Sequence, residues 1–240
     1  MTQELIVVMP VFNEQASVRK VVLEWFHEVE NWTEDFIYLA INDGSTDNTA
    51  TILHRLRDQL GPRFVVCEQA NRGHGQTCLA GYREACRRGI PFVFQIDSDG
   101  QCDPQYFFRF WRERKRFDVI YGHRTKRGDG WRRVVASRVL RAALLVRAGV
   151  NCIDANTPYR LMRTAHLEPI LEQVPKNFFL VNVALAVLLR RKSSWRHGSV
   201  PIKFRERYGG EPSVVLGKFG EKAQELFSQL RMLEREAPRQ

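Results

Sequence analysis

The amino-acid sequence predicts an α/β protein: a mainly parallel sheet covered by helices on both faces, followed by a helical C-terminal appendage. Short apolar runs alternate with longer amphipathic ones through the first half of the chain, each apolar run ends in a polar turn, and the alternation stops after Tyr121. Parallel neighbours need a crossover between them, so this alternation makes a mainly parallel sheet and brings the turns after its strands to one edge. With 240 residues and 44% hydrophobic content, the chain suits one domain over residues 1–210 and an appendage over 211–240.

The runs Leu5–Met9, Phe36–Ile41, Arg63–Cys67, Pro91–Ile96 and Phe117–Tyr121 read as buried strands because they are rich in Val, Ile and Phe. Between them Gln15–Glu30, Asn48–Leu60, Gln76–Arg88 and Pro104–Arg116 place apolar residues at helical spacing. A Gly- and Arg-rich loop, Gly122–Gly130, then leads into a basic helix, Trp131–Ala148. An irregular stretch around Asp154–Arg163, an apolar helix near Phe178–Leu189 and a strand Ser199–Phe204 follow. From Ser213 to Glu236, Leu216, Phe219, Ala223, Leu226, Phe227, Leu230 and Leu233 share one helical stripe.

Net charge is +10, which points to an anionic partner. The five cysteines are widely spaced and form no C-x-x-C pair, so they indicate neither a zinc site nor a disulfide framework, and a reducing compartment fits. The first residues lack the basic leader and cleavage site of a signal peptide. Phe178–Leu189 is interrupted by Asn182 and falls short of the roughly 20 residues of a spanning helix. A soluble or peripheral protein is expected.

The chemistry-bearing residues sit in the turns. Asp97-Ser98-Asp99-Gly100-Gln101 sets two hard oxygen ligands near one point at a strand end, which suits Mg²⁺ or Mn²⁺ bridging a diphosphate. Alone, the same residues also read as an acidic turn reversing at Gly100. Three other turns argue for a site: Pro10-Val11-Phe12-Asn13-Glu14, Asn42-Asp43-Gly44-Ser45-Thr46-Asp47 and Asn71-Arg72-Gly73-His74-Gly75-Gln76. Each would serve as an ordinary turn or helix cap. Four in succession, at one sheet edge, look like the wall of one pocket.

In this order the residues resemble the GT-A glycosyltransferases of glycosyltransferase family 2, and are most similar to the dolichyl- and polyprenyl-phosphate sugar synthases, from Val8 to about Gly210. The resemblance implies that Pro10, Phe12 and Glu14 line the nucleotide and that Asp43 hydrogen-bonds its base. Gly73 and Gly75 would let the backbone approach the nucleotide, and Asp97, Asp99 and Gln101 would form the metal set. It further implies that Arg124, within Gly122-His123-Arg124, faces the donor diphosphate or the acceptor phosphate, and that Arg133 and Ser137 bind phosphate. Asp154-Ala155-Asn156-Thr157-Pro158-Tyr159-Arg160 resembles the Asp-Pro-Thr-Ser-Gly-Phe-Arg segment of that family. Arg207, after the late strand, would reach the diphosphate, which makes Asp99, Arg124, Arg133 and Arg207 the expected catalytic group. The chain departs from the pattern at Asn42, where Asp is usual, at Asn182, where many relatives carry a carboxylate, and at Glu211-Pro212-Ser213-Val214.

The acceptor can be argued from chemistry. A sugar hydroxyl needs a base to take its proton, and no Asp or Glu occurs between Glu172 and Glu206, although Asp129 and Asp154 remain candidates. A phosphate monoester is already anionic and needs cations instead, for which Arg124, Arg133, Arg138, Arg141, Arg160, Arg163 and Arg207 are present. The expected reaction is therefore inverting, metal-dependent transfer of a hexose from a UDP- or GDP-sugar to a polyprenyl phosphate; transfer to a sugar hydroxyl is the alternative. The basic helix suits the inner, cytoplasmic face of an anionic membrane or a core-packed position with a solvated Arg face. The tail stripe suits that membrane, a neighbouring subunit in a homo-oligomer or a membrane-protein partner. A nucleotidyltransferase would need a Gly-rich turn after the first strand. A dinucleotide oxidoreductase would need glycine where Cys78 stands, and a nucleic-acid binder would carry zinc spacing or an RNA-binding aromatic signature.

Overall fold

The computed structural model describes residues 3–126, 141–142, 144–146, 149–152, 154–174, 178, 180–192, 194–209 and 228. In chain order the elements are β1 (Leu5–Val11), α1 (Val18–Glu30), β2 (Phe36–Asp43), α2 (Thr49–Leu60), β3 (Phe64–Gln69), α3 (His74–Arg87), β4 (Phe92–Gln95), α4 (Phe107–Glu113), β5 (Val119–Lys126), β6 (Arg160–Arg163), α5 (Thr164–Leu171), α6 (Val181–Arg191) and β7 (His197–Lys203). The seven strands form one sheet in the order β3-β2-β1-β4-β6-β5-β7. Only β6 is antiparallel to its neighbours.

β1 is buried along its whole length because it lies inside the sheet with helices on both sides. Its alternation splits the core: Ile6 and Val8 face the side covered by α3, α5 and α6, while Leu5, Val7 and Met9 face α1 and α4. Helix α1 presents Val18, Val21, Val22, Trp25, Phe26 and Val29 to that second side, at the spacing of one helical face. Trp25, Phe94, Phe107, Phe110 and Tyr159 meet there at edge-to-face or tilted angles. This aromatic cluster also holds a loop, because Trp25 Nε1 donates to the Cys102 carbonyl at 3.2 Å and the Tyr159 hydroxyl to the Asp103 carbonyl at 2.8 Å.

The expected strands and helices of the first half are present, with shifted ends. β5 runs on to Lys126 instead of stopping at Tyr121, since Gly122–Lys126 finds a parallel partner in β7. The sequence reads those residues as loop because Gly, His, Arg and Lys carry no strand signal. Pro104–Tyr106 forms a 3₁₀ turn before the shorter α4. The stretch expected to be irregular ends in β6, whose Arg-Leu-Met-Arg has too few apolar residues to announce a buried strand, and α5 contains Pro169, which argues against a helix. The basic helix 131–148, apart from a few residues near its end, and the tail stripe lie outside the described residues.

α3 reaches β1 closely at Gly81: a Cβ there would stand 2.3 Å from Val8 Cγ1 and 3.1 Å from Ile41 Cδ1. Gly81→Ala is therefore expected to lower stability by about 1–3 kcal/mol through overpacking, read as a lower midpoint in thermal or urea denaturation. An unchanged midpoint would show that α3 can slide away from the sheet at no cost.

Candidate functional site

Strand order reverses beside β1, which has β2 on one side and β4 on the other, and the crevice beyond the strand ends at such a point is where open α/β sheets bind ligands. Four loops meet there, and their own hydrogen bonds tie them together. Asn13 adopts a left-handed conformation (φ 52°), its N–H donates to Ser45 Oγ at 2.9 Å, and its Oδ1 accepts from Thr46 N at 2.8 Å. Glu14 N donates to Thr49 Oγ1 at 2.9 Å, and Gln15 and Asn48 exchange with this pair of loops as well. The first and second loops thus move as one piece.

The second and third loops are joined through Asp43. Its carboxylate is 3% exposed and accepts from Arg72 N at 2.9 Å, Gly73 N at 2.8 Å and Gln69 Nε2 at 2.7 Å. Gly44 (φ 70°) lets the two loops touch, since a Cβ there would lie 2.8 Å from Asn71 N. Asn42 donates to Glu68 Oε2 at 2.6 Å and accepts from Ser45 N at 3.1 Å. An aspartate at position 42 would set two carboxylates against each other with no proton between them, which accounts for the amide at this position. Helix α3 starts at His74, two residues earlier than the sequence suggests, so Gly73 precedes the helix and Gly75 lies in its first turn.

The fourth loop carries the carboxylates. Ile96 N donates to the Val8 carbonyl and Ser17 Oγ to the Ser98 carbonyl, at 3.1 Å each, which fixes the loop beside Glu14. Asp97 Oδ1 lies 2.9 Å from His74 Nε2, and Asp99 Oδ1 accepts from Gln101 N at 3.0 Å. Arg207 Nη1 stands 3.7 Å from Asp99 Oδ2, while its Nη2 donates to Glu14 Oε1. Burial raises the carboxyl pKa of Glu14; Ser17 and Arg207 pull it down, and Asp99 and Asp97 push it up again. Asp99 is raised by burial and then by Asp97. His74 is held well above the usual imidazole range, by Cys78 and by Asp97.

Two partly buried aspartates one residue apart, with one arginine 3.7 Å from the second, are a donor set that suits Mg²⁺ or Mn²⁺, which fill their other positions with water and phosphate oxygens. Among the described residues no three His, Cys, Asp or Glu side chains form a metal cage. An ion here would therefore share its shell with a ligand, and the residues present fit that arrangement.

Arg124, on β5, forms a two-pronged ion pair with Asp154, Nε to Oδ2 at 2.6 Å and Nη2 to Oδ1 at 2.7 Å. Asp154 is 7% exposed, so as a base for a hydroxyl acceptor it would first have to give up Arg124. Two arginines expected to hold phosphate do not. Arg160 is fully buried and spends its N–H groups on the carbonyls of Ala155, Thr157 and Asn182. Arg163, at the far end of β6, pairs with Asp118 on the opposite edge of the sheet. Arg133, Arg138 and Ser137 lie outside the described residues. The remaining expected residues stand at the crevice edge: Pro10 ends β1 with Val11, Phe12 is 44% exposed beyond it, and Gln101 follows Asp99.

Sequence reasoning gives no role to Ser17, which binds the Glu14 carboxylate at 2.6 Å, or to His74. It also misses the 204–209 strap, in which Arg205 N donates to the Gln101 carbonyl at 3.0 Å and Tyr208 N to the Asp99 carbonyl at 3.1 Å. The resemblance singles out Arg207 in this segment, but nothing in Arg205-Glu206-Arg207-Tyr208 announces that its backbone is fastened to the Asp99–Gln101 loop.

Asp43→Ala would strand two backbone donors of the third loop. It is expected to weaken binding of UDP or GDP by about 1–3 kcal/mol in calorimetry and to lower the melting temperature. If neither quantity changes, the third loop is held by other contacts.

The chain is 27% identical over 215 residues to an undecaprenyl-phosphate 4-deoxy-4-formamido-L-arabinose transferase of Edwardsiella ictaluri (strain 93-146), a match covering 88% of this chain and 63% of that protein. The same enzyme of Serratia proteamaculans (strain 568) is 27% identical over 177 residues, covering 72% and 53%. The chain thus spans between half and two-thirds of the length of these curated relatives. Among solved structures, glucosyl-3-phosphoglycerate synthase of Mycobacterium tuberculosis in complex with Mn²⁺, uridine-diphosphate and phosphoglyceric acid superposes with a TM-score of 0.71 at 15% identity, over 96% of this chain and 78% of that one. S. aureus TarS 1-349 superposes with a TM-score of 0.63 at 15% identity, over 98% and 65%. These likenesses show the fold, which is the expected GT-A type. The model of "Glycosyl transferase family 2" matches residues 6–171, more than half of the chain, and the protein belongs to that family.

Proposed function

We propose that this glycosyltransferase transfers a sugar from a nucleoside diphosphate to a polyprenyl phosphate, with inversion at the anomeric carbon and with Mg²⁺ or Mn²⁺ as cofactor. The observation that carries the reading is the meeting of Glu14, Asp97, Asp99 and Arg207 at the strand ends beside β1, where three carboxylates face one arginine and a divalent cation arriving with a diphosphate would offset the excess negative charge. Mg²⁺ or Mn²⁺ held by Asp97 and Asp99, with Gln101 beside them, would offset charge growing on the departing diphosphate. The Mn²⁺ and uridine-diphosphate named with the mycobacterial structure support the same donor chemistry. Asp43 and the third loop would receive the nucleoside, with Pro10, Phe12, Gly73 and Gly75 along its path. Arg207 would bind the diphosphate.

In the reaction an acceptor phosphate oxygen forms the new bond to the anomeric carbon while the bond to the diphosphate oxygen breaks on the opposite face. The attacking oxygen gives up its negative charge as it becomes an ester oxygen, and the departing diphosphate oxygen takes that charge up, so no proton need be moved. That suits a site whose nearby Asp154 is already committed to Arg124. Positioning then supplies much of the rate, and Arg124, Arg133 and Ser137 are assigned to the acceptor phosphate.

The curated relatives are named for undecaprenyl phosphate, which supports the lipid acceptor. Their sugar is a formamido-arabinose, whereas the mycobacterial neighbours are named for glucosyl transfer; the hexose reading rests on the latter. No helix among the described residues is long and apolar enough to cross a membrane. Leu145 and Val146, 52% and 78% exposed and near the exposed Arg141, fit contact with the inner face of an anionic membrane.

Asp99→Asn is expected to abolish turnover, and EDTA to silence the wild-type protein until Mn²⁺ or Mg²⁺ is restored. A radiolabelled panel of UDP- and GDP-sugars, offered with short-chain polyprenyl phosphate or the matching polyprenol, should give product with the phosphate alone. Full activity in metal-free buffer would remove the metal from the mechanism. Equal transfer to a free sugar hydroxyl would make the protein a hydroxyl-acceptor member of the family.

A further inference from the structure

The strap 204–209 is tied to the rest of the protein at a point away from the carboxylates. Glu24, on α1, accepts from Arg205 Nη2 at 2.7 Å, and its two oxygens lie 3.0 Å from the Tyr208 hydroxyl. Lys20, one turn earlier on α1, stands 3.8 Å from the centre of the Tyr208 ring and 3.8 Å from Glu24. The Tyr208 ring covers Gly100 so closely that a Cβ there would lie 2.5 Å from it. With the backbone bonds from Arg205 N to Gln101 and from Tyr208 N to Asp99, the strap is fastened along the loop that carries the aspartates.

Arg207 lies between these fastenings, and its side chain turns inward. Nε donates to the Gly209 carbonyl at 2.7 Å, Nη2 binds Glu14, and Nη1 is 3.7 Å from Asp99. A cation so placed does what a divalent ion beside Asp99 would do, and the two repel each other. The same guanidinium is matched in charge and shape to a diphosphate.

We propose that Glu24 is a positioning residue: it latches the strap so that Arg207 serves as counter-ion to Glu14 and Asp99 in the donor-free protein and swings to the donor diphosphate when metal and nucleotide bind. This rests on the metal-dependent donor site proposed above. The strap backbone stays fastened and only the guanidinium changes partners. Arg207 therefore opposes binding of the metal alone and favours binding of the nucleotide with the metal.

Opposite signs make the test decisive. Mn²⁺ alone, and then UDP and GDP in saturating Mn²⁺, are titrated calorimetrically into the wild-type protein and four variants. Arg207→Ala should bind Mn²⁺ alone about threefold or more tightly and nucleoside diphosphate about tenfold more weakly, because removing one cation relieves repulsion at one ligand and attraction at the other. Arg207→Lys, which keeps the charge, should stay near the wild-type Mn²⁺ affinity. Glu24→Ala should shift both affinities in the directions of Arg207→Ala by smaller factors, and Glu24→Gln, whose amide oxygen still accepts from Tyr208, should lie closer to wild type. A purely structural role for Glu24 would lower the melting temperature without tightening Mn²⁺, and that result would overturn the proposal. So would an Arg207→Ala protein whose Mn²⁺ affinity is unchanged or weaker. If the wild-type protein binds neither Mn²⁺ nor nucleotide, the donor reading fails together with this one. Opposite shifts without any sugar transfer would uphold the exchange and defeat only the transfer reaction.

Discussion

Three carboxylates gathered at the ends of two adjacent strands are the constraint around which the site is built. Glu14 follows β1 and Asp97 and Asp99 follow β4, and the parallel pairing of those strands, Leu5 to Phe92 through Val8 to Gln95, leaves the acids no freedom to separate. Burial and mutual repulsion raise Glu14 and Asp99. Like charges in a poorly solvated crevice cost free energy unless cations or hydrogen-bond donors meet them. The surroundings supply both: Ser17 and Arg207 on Glu14, His74 on Asp97, the Gln101 amide on Asp99. What remains unbalanced is suited to an incoming cation with its own anionic partner.

The rigidity this requires comes from the rest of the fold. The loop after β4 cannot retreat, because Trp25 and Tyr159 bind its backbone at Cys102 and Asp103 from inside the aromatic cluster. On the other side of β1, Asp43 spends its carboxylate on the backbone of the third loop, and Asn13 and Glu14 are stapled to the second. Preorganised groups of this kind do not have to be arranged at the moment of reaction. Core packing and site geometry are thus two ends of the same elements, and a substitution at Trp25 or Tyr159 would be felt at Asp99.

The strands and helices of the first half were legible in the sequence because each is dominated by one period. β1 and β2 are apolar throughout and α1 repeats at three and four residues, so local pattern and tertiary burial agree. They disagree where polar residues are buried for long-range reasons. Arg160 opens β6 with its guanidinium held by the nearby carbonyls of Ala155 and Thr157 and by that of Asn182, 22 residues on, and Gly122–Lys126 extends β5 only because β7, seventy-odd residues on, lies alongside. No short window of the sequence contains both β5 and β7. The same holds for the site. Asp97 and Asp99 announce themselves by spacing, whereas Glu24 acts through Tyr208 from 184 residues away and looks like any exposed helical acid.

The first three loops and the β5 side of the site differ in how they are held, and that difference bears on what the fold can vary. The first three loops exchange hydrogen bonds chiefly with one another and with backbone groups, so a change at one position calls for a compensating change close by. Asn42 shows this: its amide is matched to Glu68, which in turn lies 3.1 Å from His54 Nε2. The β5 side depends on a side-chain ion pair, with Arg124 oriented by Asp154 between β5 and the approach to β6. Such pairs can be exchanged one at a time without disturbing the sheet. Asn42 is absorbed by its neighbours in the first three loops, whereas Asn182, on α6, meets the buried Arg160 through its backbone carbonyl, one of three carbonyl groups that hold the guanidinium.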